Sequence, residues 1–167
     1  LLSFLYLFLG YFKPFDRSYP LFNAAYKYIS ENRVDAILAT GGPFVQFKYA
    51  YRLSQRFQLP WIADYRDNWS NNPDLDKQPI GGLQKWFFKK LERKYVQSAA
   101  LVTIASPSYT SLIQKVVGDG IPVKVIYNGF QEDVFQSAND IELDKSVFRV
   151  VYAGKIYPSQ KLELFIE

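Results

Sequence analysis

The sequence has 167 residues, of which 49% are hydrophobic and 18% aromatic, and its formal net charge is +4. This composition excludes a disordered chain, and the length suits one domain with the start of another. There is no Cys and no His. Disulfides, thiol nucleophiles, His-based hydrolase triads and most zinc sites are therefore excluded, and any acid–base chemistry must use Asp, Glu, Lys or Tyr.

The first twelve residues, LLSFLYLFLGYF, are almost entirely apolar. This run is too short to span a bilayer, and no basic segment precedes it as in a signal peptide. It predicts a buried helix, with a contact at a membrane interface as the alternative. Because the sequence has no Met, not even an initiator, we expect it to be a piece of a longer protein.

Apolar runs of strand length then alternate with segments of helical periodicity. The predicted strands are 34–40, 60–66, 100–106 and 123–129, and the predicted helices are 44–57, 81–99 and 107–117. Each strand is apolar on both faces, as a parallel sheet covered by helices requires. The alternation predicts an α/β protein with a Rossmann-like, doubly wound parallel sheet and helices on both faces.

The composition changes near the carboxyl end of the chain. Residues 131–146 are polar and acidic with no clear periodicity, which predicts a linker. A new strand is predicted at 147–157 and the start of a helix after it. We therefore expect a partial domain at 1–130, a linker at 131–146, and the beginning of a second domain at 147–167.

Charged side chains crowd the end of the second predicted strand, in LPWIADYRDNW. Ligands of open α/β sheets bind beyond the carboxyl ends of the strands, so these charges are expected at a cleft. Asp64 and Arg66 share one face of the strand and Asp67 lies on the other. Trp69 could offer a flat apolar surface to a sugar ring. The structural alternative is that Arg66, held between carboxylates, fixes a loop.

Other candidate sites have equally simple alternatives. Thr40-Gly41-Gly42-Pro43 joins a strand to a helix and could hold an anion with backbone N–H groups, or it is a plain tight turn. It is neither a dinucleotide fingerprint nor a P-loop. Asn128-Gly129 has the chemistry of a turn. Gly154 and Lys155 follow the last predicted strand, where a lysine could neutralise phosphate.

The helix at 81–99 is strongly basic, with aromatic residues between its charges. We predict that Leu83, Phe87, Leu91 and Tyr95 form its apolar side. The charges are either a solvated face or a contact with an anionic lipid surface. The basic residues are Lys85, Lys89, Lys90, Arg93 and Lys94.

Four motifs in this order resemble family-4 glycosyltransferases. The segment ILATGGPFVQFKYAYRLSQRFQLPWIADYRDNW is similar to a strand, small-residue turn, helix and strand of that family, ending in Asp-aromatic-Arg-Asp-x-Trp. The segment LERKYVQSAALVTIASPSY resembles the family's next helix and strand, and VIYNGFQEDVF resembles the turn that closes the amino-terminal domain. VVYAGKIY resembles the first strand and glycine loop of the donor-binding domain. The similarity extends from about residue 15 to the end of the chain.

The resemblance implies a GT-B architecture, in which an acceptor domain and a nucleotide-sugar domain face each other across a cleft. It implies that Asp64, Arg66 and Asp67 are catalytic and that Gly154 and Lys155 approach the donor diphosphate. The acceptor cleft that it implies consists of Thr40, Gly41, Gly42, Pro43, Trp69, Ser106 and Asn128.

The function that the resemblance implies is retaining transfer of a sugar from a nucleotide-sugar donor to a saccharide or lipid-linked acceptor, in cell-surface polysaccharide or glycolipid synthesis. No cofactor or metal is expected. The expected location is cytoplasmic, with possible peripheral contact to an anionic membrane, and nucleic acid is not expected as a partner. The chain alone is expected to be inactive. The alternatives are a nucleotide-sugar 2-epimerase of the same fold and a non-catalytic Rossmann-like binding module.

Overall fold

The computed structural model describes residues 18–77, 80–131 and 146–154, and within them four strands alternate with four α-helices. The strands are β1 (Ile37–Gly41), β2 (Trp61–Tyr65), β3 (Leu101–Ile104) and β4 (Val123–Val125). The helices are α1 (Tyr19–Glu31), α2 (Val45–Phe57), α3 (Gly81–Val96) and α4 (Thr110–Val117). Short 3₁₀ helices at Pro73–Lys77 and Pro107–Tyr109 precede α3 and α4. None of the helices in these ranges is long and apolar enough to cross a membrane.

The strands form one parallel sheet in the order β1-β2-β3-β4. Each connection from one strand to the next contains a helix, because parallel neighbours need a long crossover. The structure is therefore α/β with a Rossmann-like parallel sheet flanked by helices, and the predicted fold class is confirmed.

The three helices that connect consecutive strands lie on one side of the sheet. Since the strand order is sequential, right-handed crossovers place α2, α3 and α4 on the same face. Consecutive crossover helices pack against one another, and α1 packs against α2. On the other face of the sheet, Leu38 of β1 is 65% exposed.

The core fills the space between the sheet and these helices. Trp61, Ala63 and Tyr65 alternate along β2 with all three side chains buried, and Phe47 of α2 packs against Trp61 and Tyr65. The indole Nε1 of Trp61 donates a hydrogen bond of 3.0 Å to Ser98 Oγ, so this buried polar atom has a partner. β2 is thus the centre of the sheet and its core.

The apolar side predicted for α3 is partly wrong. Leu83 is 54% exposed, whereas Gln84 and Glu92 are wholly buried and Phe88 is nearly so. Glu92 lies inward because Tyr65 and the backbone of Ser70 donate hydrogen bonds to its carboxylate. The buried side-chain amide of Gln84 has no hydrogen-bond partner among the described residues. Helix α1 was not predicted, although Pro20 near its start is a common helix N-terminal signal.

The chain separates into two compact units, 1–129 and 130–167. In the second unit, the strand predicted at 147–157 is absent from the described part, residues 146–154, which is irregular and exposed. A strand is defined by backbone hydrogen bonds to a neighbouring strand, and residues 146–154 belong to none of the described strands. The opening apolar run, the linker and the final helix lie outside the described residues, and the proposed domain roles stay predictions.

Candidate functional site

Asp64 is the centre of a polar network at the carboxyl end of the sheet. Its Oδ1 accepts a hydrogen bond of 2.7 Å from Thr103 Oγ1, and its Oδ2 accepts one of 3.1 Å from Thr40 Oγ1. Arg66 Nε also donates to Oδ2, at 3.0 Å. Both carboxylate oxygens are therefore engaged, and the side chain is only 15% exposed. This arrangement holds the carboxylate in one orientation.

The strand register explains why these side chains meet. Thr40 of β1 pairs with Asp64 of β2, Asp64 with Thr103 of β3, and Thr103 with Lys124 of β4. Paired residues of parallel strands point to the same face of the sheet. The four side chains consequently form one polar row across the sheet, on the face opposite the three helices that connect the strands.

Arg66 extends this row toward the end of β4. Its NH1 group donates a hydrogen bond to Oδ1 of Asn128, which lies three residues after that strand. A guanidinium carries five N–H donors, and two of them are used here. The others have no partner among the described residues, and the side chain is 49% exposed. Arg66 therefore presents fixed donors to solvent.

These positions decide what the network can do chemically. Because both oxygens of Asp64 accept hydrogen bonds and one of them accepts from Arg66, Asp64 is suited to position the guanidinium. The half-exposed guanidinium, with Lys124 in the same row, favours an anionic or hydroxyl-rich ligand. In the described ranges, no group of three carboxylates is arranged to hold a metal ion.

The turn after β1 has a packing role as well as its place beside the network. A Cβ on Gly41 would lie 2.5 to 2.9 Å from ring atoms of Phe44 and Phe47, so only glycine fits. Gly42 and Pro43 are exposed, and Gly42 has a φ of +107°, which L side chains rarely adopt. Gly42 and Pro43 follow Thr40 at the same edge, but no hydrogen bond found among the described residues joins them to the network.

Ser106 and Asp67 lie apart from the network. The hydroxyl of Ser106, two residues after β3, is 2.8 Å from that of Ser108. Asp67 is exposed and makes no ion pair within the described residues. Of the residues predicted to be catalytic, the structure joins Asp64 and Arg66 and leaves Asp67 outside their network.

Trp69 belongs to the core. It is 4% exposed, and Phe44 stacks on it with ring centroids 5.1 Å apart and an interplanar angle of 2°. Phe47 and Phe88 also contact this indole. Its faces are thus covered by protein, and the structure does not present them to a sugar ring.

Of the predicted donor-phosphate residues, Gly154 is exposed in the second unit, and Lys155 lies outside the described residues. Two members of the polar row, Thr103 and Lys124, were not predicted. Thr103 could have been found from the sequence, because it is a polar residue within the otherwise apolar strand ALVTIAS. Lys124 could be found only from the register.

A buried carboxylate, that of Glu92, lies between α3 and the face of β2 that the helices cover. Glu92 of α3 is wholly buried, its Oε1 accepts a 2.9 Å hydrogen bond from the hydroxyl of Tyr65, and its Oε2 accepts one of 3.3 Å from the backbone N–H of Ser70. Burial raises the pKa of Glu92, although the hydrogen bonds from Ser70 and Tyr65 and the charge of Lys89 act in the opposite direction. Burial, together with the charge of Glu92, also raises the pKa of Tyr65. The pair connects α3 to β2.

Replacing Glu92 with Gln is expected to remove a pH dependence of stability. Because the pKa of Glu92 in the folded state is raised above 4.5, the folded state binds this proton more tightly than the unfolded state. The contribution is complete below about pH 4.5 and is lost as the pH rises through the raised pKa. The slope for one group can reach about 1.4 kcal/mol per pH unit.

Urea unfolding of the wild type and the Glu92→Gln variant from about pH 4 to pH 8 measures this effect. The wild type should lose stability over part of that interval, and the variant should show a flatter profile. Identical slopes in the two proteins would contradict the expected titration of Glu92.

Comparisons with known proteins add nothing to this geometry. No family model, curated protein or solved structure matches this chain. The resemblance to family-4 glycosyltransferases, which depends on four short motifs, stays a prediction. What the structure shows is a Rossmann-like sheet with an ordered Asp–Arg–Asn network at the carboxyl ends of its strands.

Proposed function

We propose that this chain is the acceptor-side part of a retaining GT-B glycosyltransferase. The reaction is transfer of a sugar from a nucleotide-sugar donor to a saccharide or lipid-linked acceptor in cell-surface polysaccharide or glycolipid synthesis. The observation that carries the proposal is the half-exposed guanidinium of Arg66, oriented by Asp64 and Asn128 at the carboxyl edge of a parallel sheet. This edge is where open α/β sheets bind their ligands.

The network supports a positioning and electrostatic role in such a reaction. Arg66 would contact the acceptor or the departing diphosphate, and Asp64 would act through Arg66 as a positioning residue. Fixed donors at developing negative charge stabilise a transition state without a protein nucleophile or a His base. We place the reaction in the cytoplasm, at the inner face of the membrane where the acceptor is lipid-linked.

The test is the substitution Arg66→Ala in the natural protein, assayed for sugar transfer from UDP-, GDP- and ADP-sugars. We expect kcat/KM to fall by about 10²–10³, as when one fixed donor to developing charge is removed. The melting temperature should change little, because the side chain is half exposed. Arg66→Lys should recover only part of the activity, since an ammonium cannot reproduce the two-point contact.

Arg33→Ala is the matched control. Arg33 also pairs with an aspartate two residues away, Asp35, but both side chains are almost fully exposed outside the network. This variant should keep wild-type turnover. Equal losses of turnover and thermal stability in Arg66→Ala would identify a structural ion pair. A folded protein that transfers no sugar and is stabilised by no nucleotide would identify a binding module instead.

A further inference from the structure

The exposed side of α3 combines basic and large apolar side chains. Residues 83, 86, 90, 93 and 94 recur at helical spacing and lie on one side. Leu83 is 54% exposed and Trp86 is 55% exposed. The ammonium group of Lys90 lies 4.0 Å from the centroid of the Trp86 ring, and Arg93 and Lys94 continue the same side one turn later. We call this surface, with Lys89 at its margin, the α3 outer face.

The α3 outer face has no acidic side chain of its own. The single carboxylate of the helix, Glu92, is buried on the opposite side. Asp74 and Asp76, in the 3₁₀ helix that precedes α3, pair with Lys77 at 2.7 Å and with Lys85 at 2.5 Å. Lys89, Lys90, Arg93 and Lys94 form no ion pair within the described residues.

The neighbouring helix extends the positive charge. Lys48, Arg52 and Arg56 lie on α2, which packs beside α3 on the same face of the sheet and has no acidic residue. Among the described residues, the remaining acidic side chains lie on neither α2 nor α3; they are Glu31, Asp35, Asp64, Asp67 and Asp119. Because α2 and α3 cover one face of the sheet and the polar row lies on the other, the basic side chains of these helices and the polar row are on opposite sides of the sheet.

From these features we infer that the α3 outer face binds the surface of a bilayer that contains anionic lipid. Basic side chains are attracted to anionic headgroups, and each contributes to binding within a Debye length of the surface. The indole and the leucine then enter the region between headgroups and acyl chains, where Trp is favoured. A nucleic acid would satisfy the charges, but it would leave Leu83 without a contact. This inference does not depend on the proposed sugar transfer.

The experiment uses the whole chain and vesicles of phosphatidylcholine with and without phosphatidylglycerol. Trp86 is a built-in probe, because Trp61 and Trp69 are 0% and 4% exposed and already shielded from water. We expect sedimentation with the anionic vesicles only, together with a blue shift of the tryptophan emission. The shift should disappear in Trp86→Phe, and binding should weaken when salt is added.

Two double variants that have the same net charge distinguish binding by the α3 outer face from an effect of the net charge of the protein. Lys90→Gln with Arg93→Gln should reduce partitioning to anionic vesicles at least about tenfold. Lys27→Gln with Arg33→Gln, at exposed positions on α1 and just after it, should change it by less than about twofold. All four residues are exposed, so circular dichroism should show native folding in both variants.

Three outcomes would overturn the inference. The first is an equal loss of partitioning in both charge variants, which would show that only net charge matters. The second is binding to anionic vesicles with no change in Trp86 emission. The third is tighter binding to a DNA duplex than to the vesicles at the same salt concentration, which would identify a polyanion surface.

Discussion

Replacing Trp69 with alanine is expected to lower the free energy of unfolding by about 3–5 kcal/mol. The indole is 4% exposed, and Phe44 stacks on it while Phe47 and Phe88 contact its other sides. Truncation would remove this burial and leave a cavity that the surrounding rings can only partly fill. Since a domain of this size has a total stability of about 5–15 kcal/mol, the loss is a large fraction of it.

Trp86→Ala is the matched control for this prediction. It removes the same side chain from an exposed position, where the ring contacts Lys90. The expected change in stability is within about 1 kcal/mol, the size of an exposed cation–π contact. Urea unfolding of both variants measures the difference. If the Trp69→Ala protein instead unfolds like the wild type and binds sugar more weakly, Trp69 contacts the acceptor and is not a core residue.

Gly81→Ala is expected to destabilise the protein by about 3 kcal/mol, the upper part of the range for overpacked sites. Gly81 is buried at the start of α3, and a Cβ there would overlap the backbone carbonyl group of Leu75. A carbonyl of the preceding 3₁₀ helix cannot rotate away as a side chain can. The segment around Leu75, itself a core residue, would have to move.

The adjacent glycine provides the control. A Cβ on Gly82 would meet nothing within 4 Å, and the residue is exposed. Gly82→Ala should therefore raise stability by up to about 1 kcal/mol, because alanine loses less backbone entropy in a helix. Thermal or urea unfolding of the two variants should thus give changes of opposite sign. Equal effects of the two substitutions would show that a Cβ at position 81 does not clash with the carbonyl group of Leu75.

The residues of the candidate site that lie at the carboxyl ends of strands could be predicted from the sequence. Asp64 and Arg66 are two residues apart on one strand, so their shared face and their contact follow from strand geometry. Asn128 was predicted at the same cleft, and its contact with Arg66 joins residues 62 apart in the chain. Thr103 was missed, because its bond to Asp64 depends on the pairing of β2 with β3.

The role of Trp69 could not be predicted from its local sequence. Its place beside charged residues in LPWIADYRDNW favoured a ligand-facing role, and nothing local indicates that Phe44 would stack on it. Helix α3 is a similar case, because one of its charged residues, Glu92, is buried while the others are not. Glu92 turns inward because Tyr65, 27 residues earlier, donates a hydrogen bond to it. Contacts across such distances are not readable from periodicity.

By itself the sequence determined the α/β alternation, the parallel sheet and the absence of any Cys- or His-based chemistry. These properties depend on residue types and on hydrophobic spacing within single segments. Only the tertiary structure decided that the three helices between the strands lie on one side, that Trp69 is core, and which side of α3 faces water. The physical reason is that strand order, register and helix rotation are set by contacts between segments, where burial and hydrogen bonding outweigh local preference.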